Sequence, residues 1–204
     1  MIAKSVKHAV DSVSVTRPEF EKVKSNVRLL KYETDRLDQS SRKDNFRIHN
    51  LVKSDGEVTI TDSVVNLMNA ILSPEESGTS IPLVSERDIS LCHFVGKPSV
   101  PGGKRQILVR VLSRQLIHSL FQNKKKLKNI DKYKDVFLTE DLTPLRLKLK
   151  AVVKGVHGTS NVHSKDGTIH CSKNNQHFMI NNPDDLFALG VDVDLNELGL
   201  MQYV

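Results

Sequence analysis

Tryptophan is missing from this 204-residue chain, and aromatic residues together make up only 5% of it. A site built mainly on aromatic stacking therefore has little material to draw on. Cysteine is scarce as well. Cys92 and Cys171 lie far apart with no CxxC partner, which argues against a disulfide framework or a cysteine-rich zinc site and leaves buried or free thiols in a reducing compartment. No apolar run approaches the roughly twenty residues that cross a bilayer. Residues 1–15 carry scattered apolar positions, not the continuous block of a signal peptide, so no secretory leader is expected. There is no GxSxG elbow and no Walker loop, because Gly102-Gly103-Lys104 lacks both the upstream glycine spacing and the following Ser or Thr. The eight histidines include His163, His170 and His177, with Cys171 nearby, around a hairpin turn. No tight CxxC or HxxxH pair anchors them, so they read as scattered surface histidines and not as a zinc site. No enzyme, cofactor or metal is expected.

What the chain has in quantity is positive charge, unevenly placed. Its net charge is +6, but residues 104–154 hold 14 Lys/Arg against Asp131, Asp135, Glu140 and Asp141, a local charge of +10. Residues 181–204 hold five acidic residues and no Lys or Arg. A basic middle beside an acidic end confines a polyanion-binding surface to one part of the molecule.

Three regions follow one another. In residues 1–43, with Phe20 as heptad position a, the pattern runs Ile2, Val6, Ala9, Val13, Thr16, Phe20, Val23, Val27, Leu30, Thr34, Leu37 and Ser41 at alternating d and a. That spacing puts one narrow apolar seam on a helix, to be buried by another helix, so Phe20, Val23, Val27, Leu30 and Leu37 are candidate oligomerisation residues. Thr16-Arg17-Pro18-Glu19 fits a capping box with proline in the first turn, which predicts a fresh helix over 17–41. The alternative is a lone amphipathic helix packed on its own domain.

Residues 44–142 alternate strand and helix signals: strand 45–52, helix 58–72, loop 73–85, strand 89–95, loop 96–103, strand 106–112, helix 114–126 and strand 136–139. The order βαββαβ is the ferredoxin-like arrangement, with both helices on one face of a four-stranded sheet and the other face open. Residues 143–204 begin with Thr143 capping a helix from Pro144 to about 156. A hairpin follows (161–164, a Lys165-Asp166-Gly167 turn, 168–172), with 176–180 as a third strand and a short helix from Asn182 to Leu189 stopped by Gly190. The expected class is α+β: a coiled-coil helix, an RRM-like domain and a small α/β C-terminal domain with an acidic tail.

Five segments in order carry a family resemblance. Ser40-Ser41-Arg42-Lys43-Asp44-Asn45-Phe46-Arg47-Ile48-His49-Asn50-Leu51, directly after a coiled coil, resembles the "SRRNNLRIHGL" junction of first-open-reading-frame proteins from LINE-type (non-LTR) retrotransposons. Cys92-His93-Phe94-Val95-Gly96-Lys97 resembles their "CHRVGK", and residues 105–112 resemble "RPIIVRFLS". Residues 136–144 resemble "IFINEDLTP", and Asp166-Gly167-Thr168-Ile169 resembles "DGKIFV". The resemblance implies a homotrimeric coiled coil carrying an RRM and a C-terminal domain, coating the element's RNA and chaperoning nucleic acids in a cytoplasmic or nuclear ribonucleoprotein. Three positions depart from it. Lys43 replaces an arginine and loses the bidentate fork, Asn50 stands where glycine is usual, and Phe94 replaces an arginine.

Side chains alternate along strands, so Arg47, His49 and Arg110 share the open face if the apolar sets face the helices. Guanidinium planes both stack on bases and pair with phosphates, which predicts salt-sensitive, sequence-tolerant binding of single strands. Further candidates are Arg42 and Lys43 between helix and sheet, Arg105 opening the third strand, and the run Lys124, Lys125, Lys126 and Lys128. Tyr133 beside Lys132 is a candidate base-stacking ring, and Arg146, Lys148, Lys150 and Lys154 form an exposed wall on the C-terminal helix. Two other readings stay open: a structural protein whose ferredoxin-like domain binds protein, and a host-recruited element protein.

Overall fold

A computed structural model of the chain describes residues 16–52, 56, 59–73, 84–96 and 105–191. The expected seam positions Ile2, Val6, Ala9 and Val13, most of the loops 73–85 and 96–103, and the acidic tail lie outside the described residues. The protein is mixed α+β, with a long N-terminal helix and two antiparallel sheets.

The first helix, α1 (Arg17–Ser41), starts where the capping signal placed it. The Glu19 carboxylate accepts from the Thr16 backbone N–H at 2.9 Å and from its hydroxyl at 2.7 Å. The seam residues Phe20, Val23, Val27, Leu30 and Leu37 are 43–66% exposed. The opposite stripe, Arg28, Tyr32, Asp35 and Gln39, at heptad positions b and f, faces the rest of the molecule instead. Tyr32 donates to Asp184, Asp35 pairs with Arg146, and Gln39 is buried.

After α1 the chain forms β1 (Asn45–His49), α2 (Ile60–Leu72), β2 (Ile89–Val95), β3 (Gln106–Val111), α3 (Arg114–Asn123) and β4 (Phe137–Glu140). The strands make one antiparallel sheet in the order β2-β3-β1-β4. Phe46, Ile48, Ile107, Val109, Val111 and Leu138 line one face and pack with Val64, Leu67, Met68 and Ile71 of α2 and Leu120 of α3. The helix expected over 114–126 ends earlier, at Asn123, and tightens into a 3-10 helix over Lys124–Asn129. That winding draws Leu127 into the core at 1% exposure, where three consecutive lysines give an α-helical turn nothing to bury. β4 begins one residue later than expected, and Val136 is buried just ahead of it. Asn50 closes β1 with φ +64°, a left-handed conformation that glycine takes freely and asparagine tolerates best among side chains. Its amide also donates to the Asp135 carbonyl at 3.0 Å.

The C-terminal part holds α4 (Pro144–His157), β5 (Val162–Lys165), β6 (Thr168–Lys173), β7 (Gln176–Ile180) and a 3-10 helix over Pro183–Leu189. Its sheet runs β5-β6-β7, joined by two tight turns with positive φ at both central residues, Asp166-Gly167 and Asn174-Asn175. Leu149 and Val153 of α4 pack on Val162, Ile169, Cys171 and Ile180, with Leu186 and Leu189 sealing the end. Both cysteines are free, Cys171 buried and Cys92 half-buried.

A buried polar junction joins α1 to both sheets. The Gln39 amide donates to the Asp141 carbonyl at 3.1 Å and its oxygen accepts from the Thr143 N–H at 2.9 Å. Asp35 accepts from the Thr143 hydroxyl and from Arg146 Nε at 2.9 Å. Arg146 also donates to the Gly167 carbonyl at 2.8 Å and to Asn181 at 3.3 Å. A Cβ at Gly167 would lie 2.6 Å from Gln39 Cγ, so this glycine is required both by its φ of +81° and by the closeness of Gln39.

Candidate nucleic-acid interface

The strand register settles which residues share the solvent face of the four-stranded sheet. Thr139, Arg47, Leu108 and His93 fall in one row across β4, β1, β3 and β2; Asn45, Arg110 and Leu91 fall in another. Arg47, His49 and Arg110 are thus on one face. The His49 ring stacks on Phe137 at 4.3 Å between centroids and 6° between planes, and its Nε2 lies 2.9 Å from the Thr139 hydroxyl. Burial, and then the neighbouring Arg47 cation, push His49 below its usual value, so the imidazole is neutral at pH 7. Phe137 is 49% exposed. This face therefore carries an aromatic platform that low aromatic content had argued against. The inward parity of Val136 and Leu138 already points Phe137 outward with Thr139, a signal that the first and third strands alone do not show.

A buried carboxylate organises the arginines beside that platform. Asp141, 2% exposed, accepts from Arg47 Nε at 2.7 Å, from Arg42 at 3.3 Å and from the Asn45 amide at 3.2 Å. Arg42 makes a second ion pair with Asp38 at 2.8 Å; that hydrogen bond, with Asp141 adding to it, raises its already high pKa. Arg47 also donates to Gln106 at 3.1 Å. Two of the predicted RNA contacts are thus already engaged with acids. Arg110 is exposed and donates to the Ser41 carbonyl at 3.3 Å. Lys43 is exposed and lines a cavity of about 620 Å³ with Arg36, Arg114, Arg146, Asp166 and Thr168, between α1 and the second sheet.

A second basic group forms where the two parts of the molecule meet. Lys124 from the 3-10 helix and Lys150 from α4 converge on Glu140, and Lys154 is near enough to act on Lys150. Burial pushes the Lys124 ammonium down, offset in part by Glu140. Burial and the Lys154 cation push Lys150 down, again against Glu140, while its Nζ donates to Ser164 at 2.9 Å. Among the described residues, nothing hydrogen-bonds the buried Glu140 Oε2. Two cations around one carboxylate, with Lys154 acting on the second, leave an excess positive charge that an oxyanion would balance.

Several candidates sit elsewhere. Tyr133 is 5% exposed in the core, with the exposed Lys132 5.1 Å from its centroid, so it is not a base-stacking ring. Arg146 is 5% exposed and spent on Asp35, so the C-terminal wall consists of Lys148, Lys150 and Lys154 without it. Lys126 donates to the Ser73 carbonyl, while Lys125 and Lys128 are exposed. Arg105 turns to the helix side of the sheet edge. There it lies 5.2 Å over the Phe94 ring and donates to the Gly96 carbonyl, and the register opposite Ile107 puts Phe94 on that side too. The histidines of the second sheet are not scattered: His163, His170 and His177 stack in a row. Among the described residues no group of three or more His, Cys, Asp or Glu is arranged to hold a metal ion, and no helix is long and apolar enough to cross a membrane.

Compared with known families and curated proteins, the chain matches no family model and no curated sequence.

Proposed function

We propose that this chain is a non-enzymatic single-stranded RNA-binding protein and nucleic-acid chaperone of the kind that LINE-type retrotransposons encode in their first open reading frame. In this reading the four-stranded sheet is a ferredoxin-like RRM, a view supported by its β2-β3-β1-β4 order with α2 and α3 on one face. The observation that carries the proposal is the solvent face of that sheet. It carries the Phe137–His49 stack next to Arg47, with Arg110 toward the other end of β1, opposite Asn45, where Lys43 precedes the strand. A base stacks on the platform while phosphates meet the cations, which is how single strands are held without being read. The basic group around Glu140 is on the opposite, helix side of the sheet, since Glu140 is the register partner of the core residue Phe46, and it offers a separate contact for phosphate. Self-association follows from the outward seam of α1, and the family resemblance makes the oligomer a trimer in a ribonucleoprotein particle.

The test is fluorescence anisotropy of the full chain with a labelled forty-nucleotide RNA across a salt series, alongside light scattering with and without that RNA. Tight binding that weakens steeply with salt is expected, with an oligomer in both samples. Arg47 is a poor probe, because Arg47→Ala would strip a buried carboxylate of a partner and disturb the fold. Arg110→Ala with Lys43→Ala is the better one. Unchanged affinity in that double variant would remove this face from the proposal. Recovery of a stoichiometric protein partner without any RNA retention would favour a protein-binding scaffold instead.

A further inference from the structure

The second sheet carries its own array of rings. His163 on β5, His170 on β6 and His177 on β7 contribute one imidazole from each strand. His163 and His170 are direct register partners, 5.1 Å apart and 13° from parallel; His170 and His177 are 4.9 Å apart at 29°. His170 Nδ1 lies 3.1 Å from His177 Nε2, which fixes the two rings relative to each other. The row spans the sheet from edge to edge, because β5 and β7 are its outer strands. Val162, Ile169, Cys171 and Ile180 point to the core side, so strand alternation sets the three histidines on the opposite, solvent side. The end rings, His163 and His177, are exposed, and the middle ring is half-buried.

An isolated surface imidazole is mobile and gives a base little to rest on. Three rings already in register form a stack whose middle member is immobilised, so the ordering needed for a fourth ring to join has largely been met. Burial, followed by the His163 and His177 rings, holds His170 below its usual value, so the middle of the row is neutral at pH 7. The charged group acting on it besides the histidines is the cation of Lys165, not a carboxylate. Met179, 62% exposed, is the register partner of His170 and widens the same surface with an apolar side chain. Thr168 lies two residues from His170 on the same face of β6 and lines the cavity that holds Lys43. The ladder surface and the basic cavity are therefore continuous.

We propose that the His163–His170–His177 ladder is a second single-strand contact, at which a nucleobase extends the stack on the outer face of an end ring while the backbone runs toward the Lys43 cavity. This rests on the reading of the chain as a single-strand binder. Stacking on aromatic rings is sequence-tolerant and strong enough to register in affinity when a ring is removed.

The test uses the full chain and the same forty-nucleotide RNA. His163→Ala with His177→Ala is expected to lower affinity about fivefold or more, whereas His163→Phe with His177→Phe, which keeps a stacking face and removes the imidazole nitrogens, is expected to retain it. Wild-type affinity in the alanine variant, or an equal loss in the phenylalanine variant, overturns the stacking contact. Independently of any variant, photocrosslinking of the wild-type chain to 5-iodouracil RNA is expected to yield adducts on peptides containing His163 or His177. Crosslinks confined to the first sheet overturn the ladder while leaving the single-strand reading intact. Failure of the wild-type chain to bind the RNA overturns both.

Discussion

The junction beneath α1 and the solvent face of the first sheet are both rich in arginine, and they put it to opposite uses. At the junction, Arg146 and Asp35 are nearly sealed from water, and the guanidinium also donates to the Gly167 carbonyl and the Asn181 side chain. On the sheet face, Arg110 is exposed and donates to the Ser41 carbonyl. Between these extremes stand Arg42 and Arg47, half-buried and tied to Asp141. A cation's availability to a polyanion is thus decided by the carboxylates within reach, and those come from distant points in the chain. Local basic density says little about it.

The largest effect is expected at the junction. Arg146→Ala leaves the Asp35 carboxylate buried and unpaired, and should cost about 3–5 kcal/mol in urea unfolding. Arg146→Met with Asp35→Leu, which removes both charges, should recover most of that loss. A single variant as stable as wild type would show that the pair is not sealed. Next in size is Gly167→Ala, expected to cost at least about 1 kcal/mol from its φ alone, with more from the collision with Gln39. A double-mutant cycle with Gln39→Ala should then show strong non-additivity, since the two residues compete for one space.

At the sheet face the expectation reverses. Lys43→Ala and Arg110→Ala should each shift stability by no more than about 0.5 kcal/mol. Each should nevertheless flatten the salt dependence of RNA binding, by about 0.7 in log–log slope for every phosphate left without its cation. A stability loss at either position, with the salt slope unchanged, would move that residue into the structural class. The smallest effect concerns pH. The folded state holds the His49 pKa below its usual value, so as pH falls through about 6.5 the unfolded chain takes up a proton that the folded chain resists. Stability should therefore decline as the pH falls below about 6.5, and His49→Gln should flatten that decline in thermal melts.

Much of the fold was legible because it is locally encoded. Thr16-Arg17-Pro18-Glu19 announces the start of α1, Asp166-Gly167 announces a hairpin with two left-handed residues, and alternation along 45–49 and 106–111 sorts core from solvent. The site was legible where parity sufficed: Arg47, His49 and Arg110 do share a face. It was illegible where burial and long-range pairing decide. Asp141 reads as one more surface acid beside Glu140, and nothing nearby shows that it is 2% exposed and holds two arginines. Tyr133, flanked by lysines, looks exposed, yet the 3-10 turn over Asp131–Tyr133 rotates its ring inward while the lysines stay out. Arg146 meets its acid across 111 positions of sequence, beyond the reach of any local pattern.

The two stripes of α1 have a mechanical consequence. Asp35 and Gln39 fasten one side of the helix to both sheets, while Phe20, Val23, Val27 and Leu30 lie on the other side. The helix is thus a keyed shaft: if the seam is the association face, as proposed, it fixes the azimuth of each docked body about the assembly axis. Inserting one residue between Val27 and Tyr32 would turn the upstream seam by about 100° relative to the docked body. The seam residues above the insertion would keep their own register, but the bodies would swing out of phase with one another.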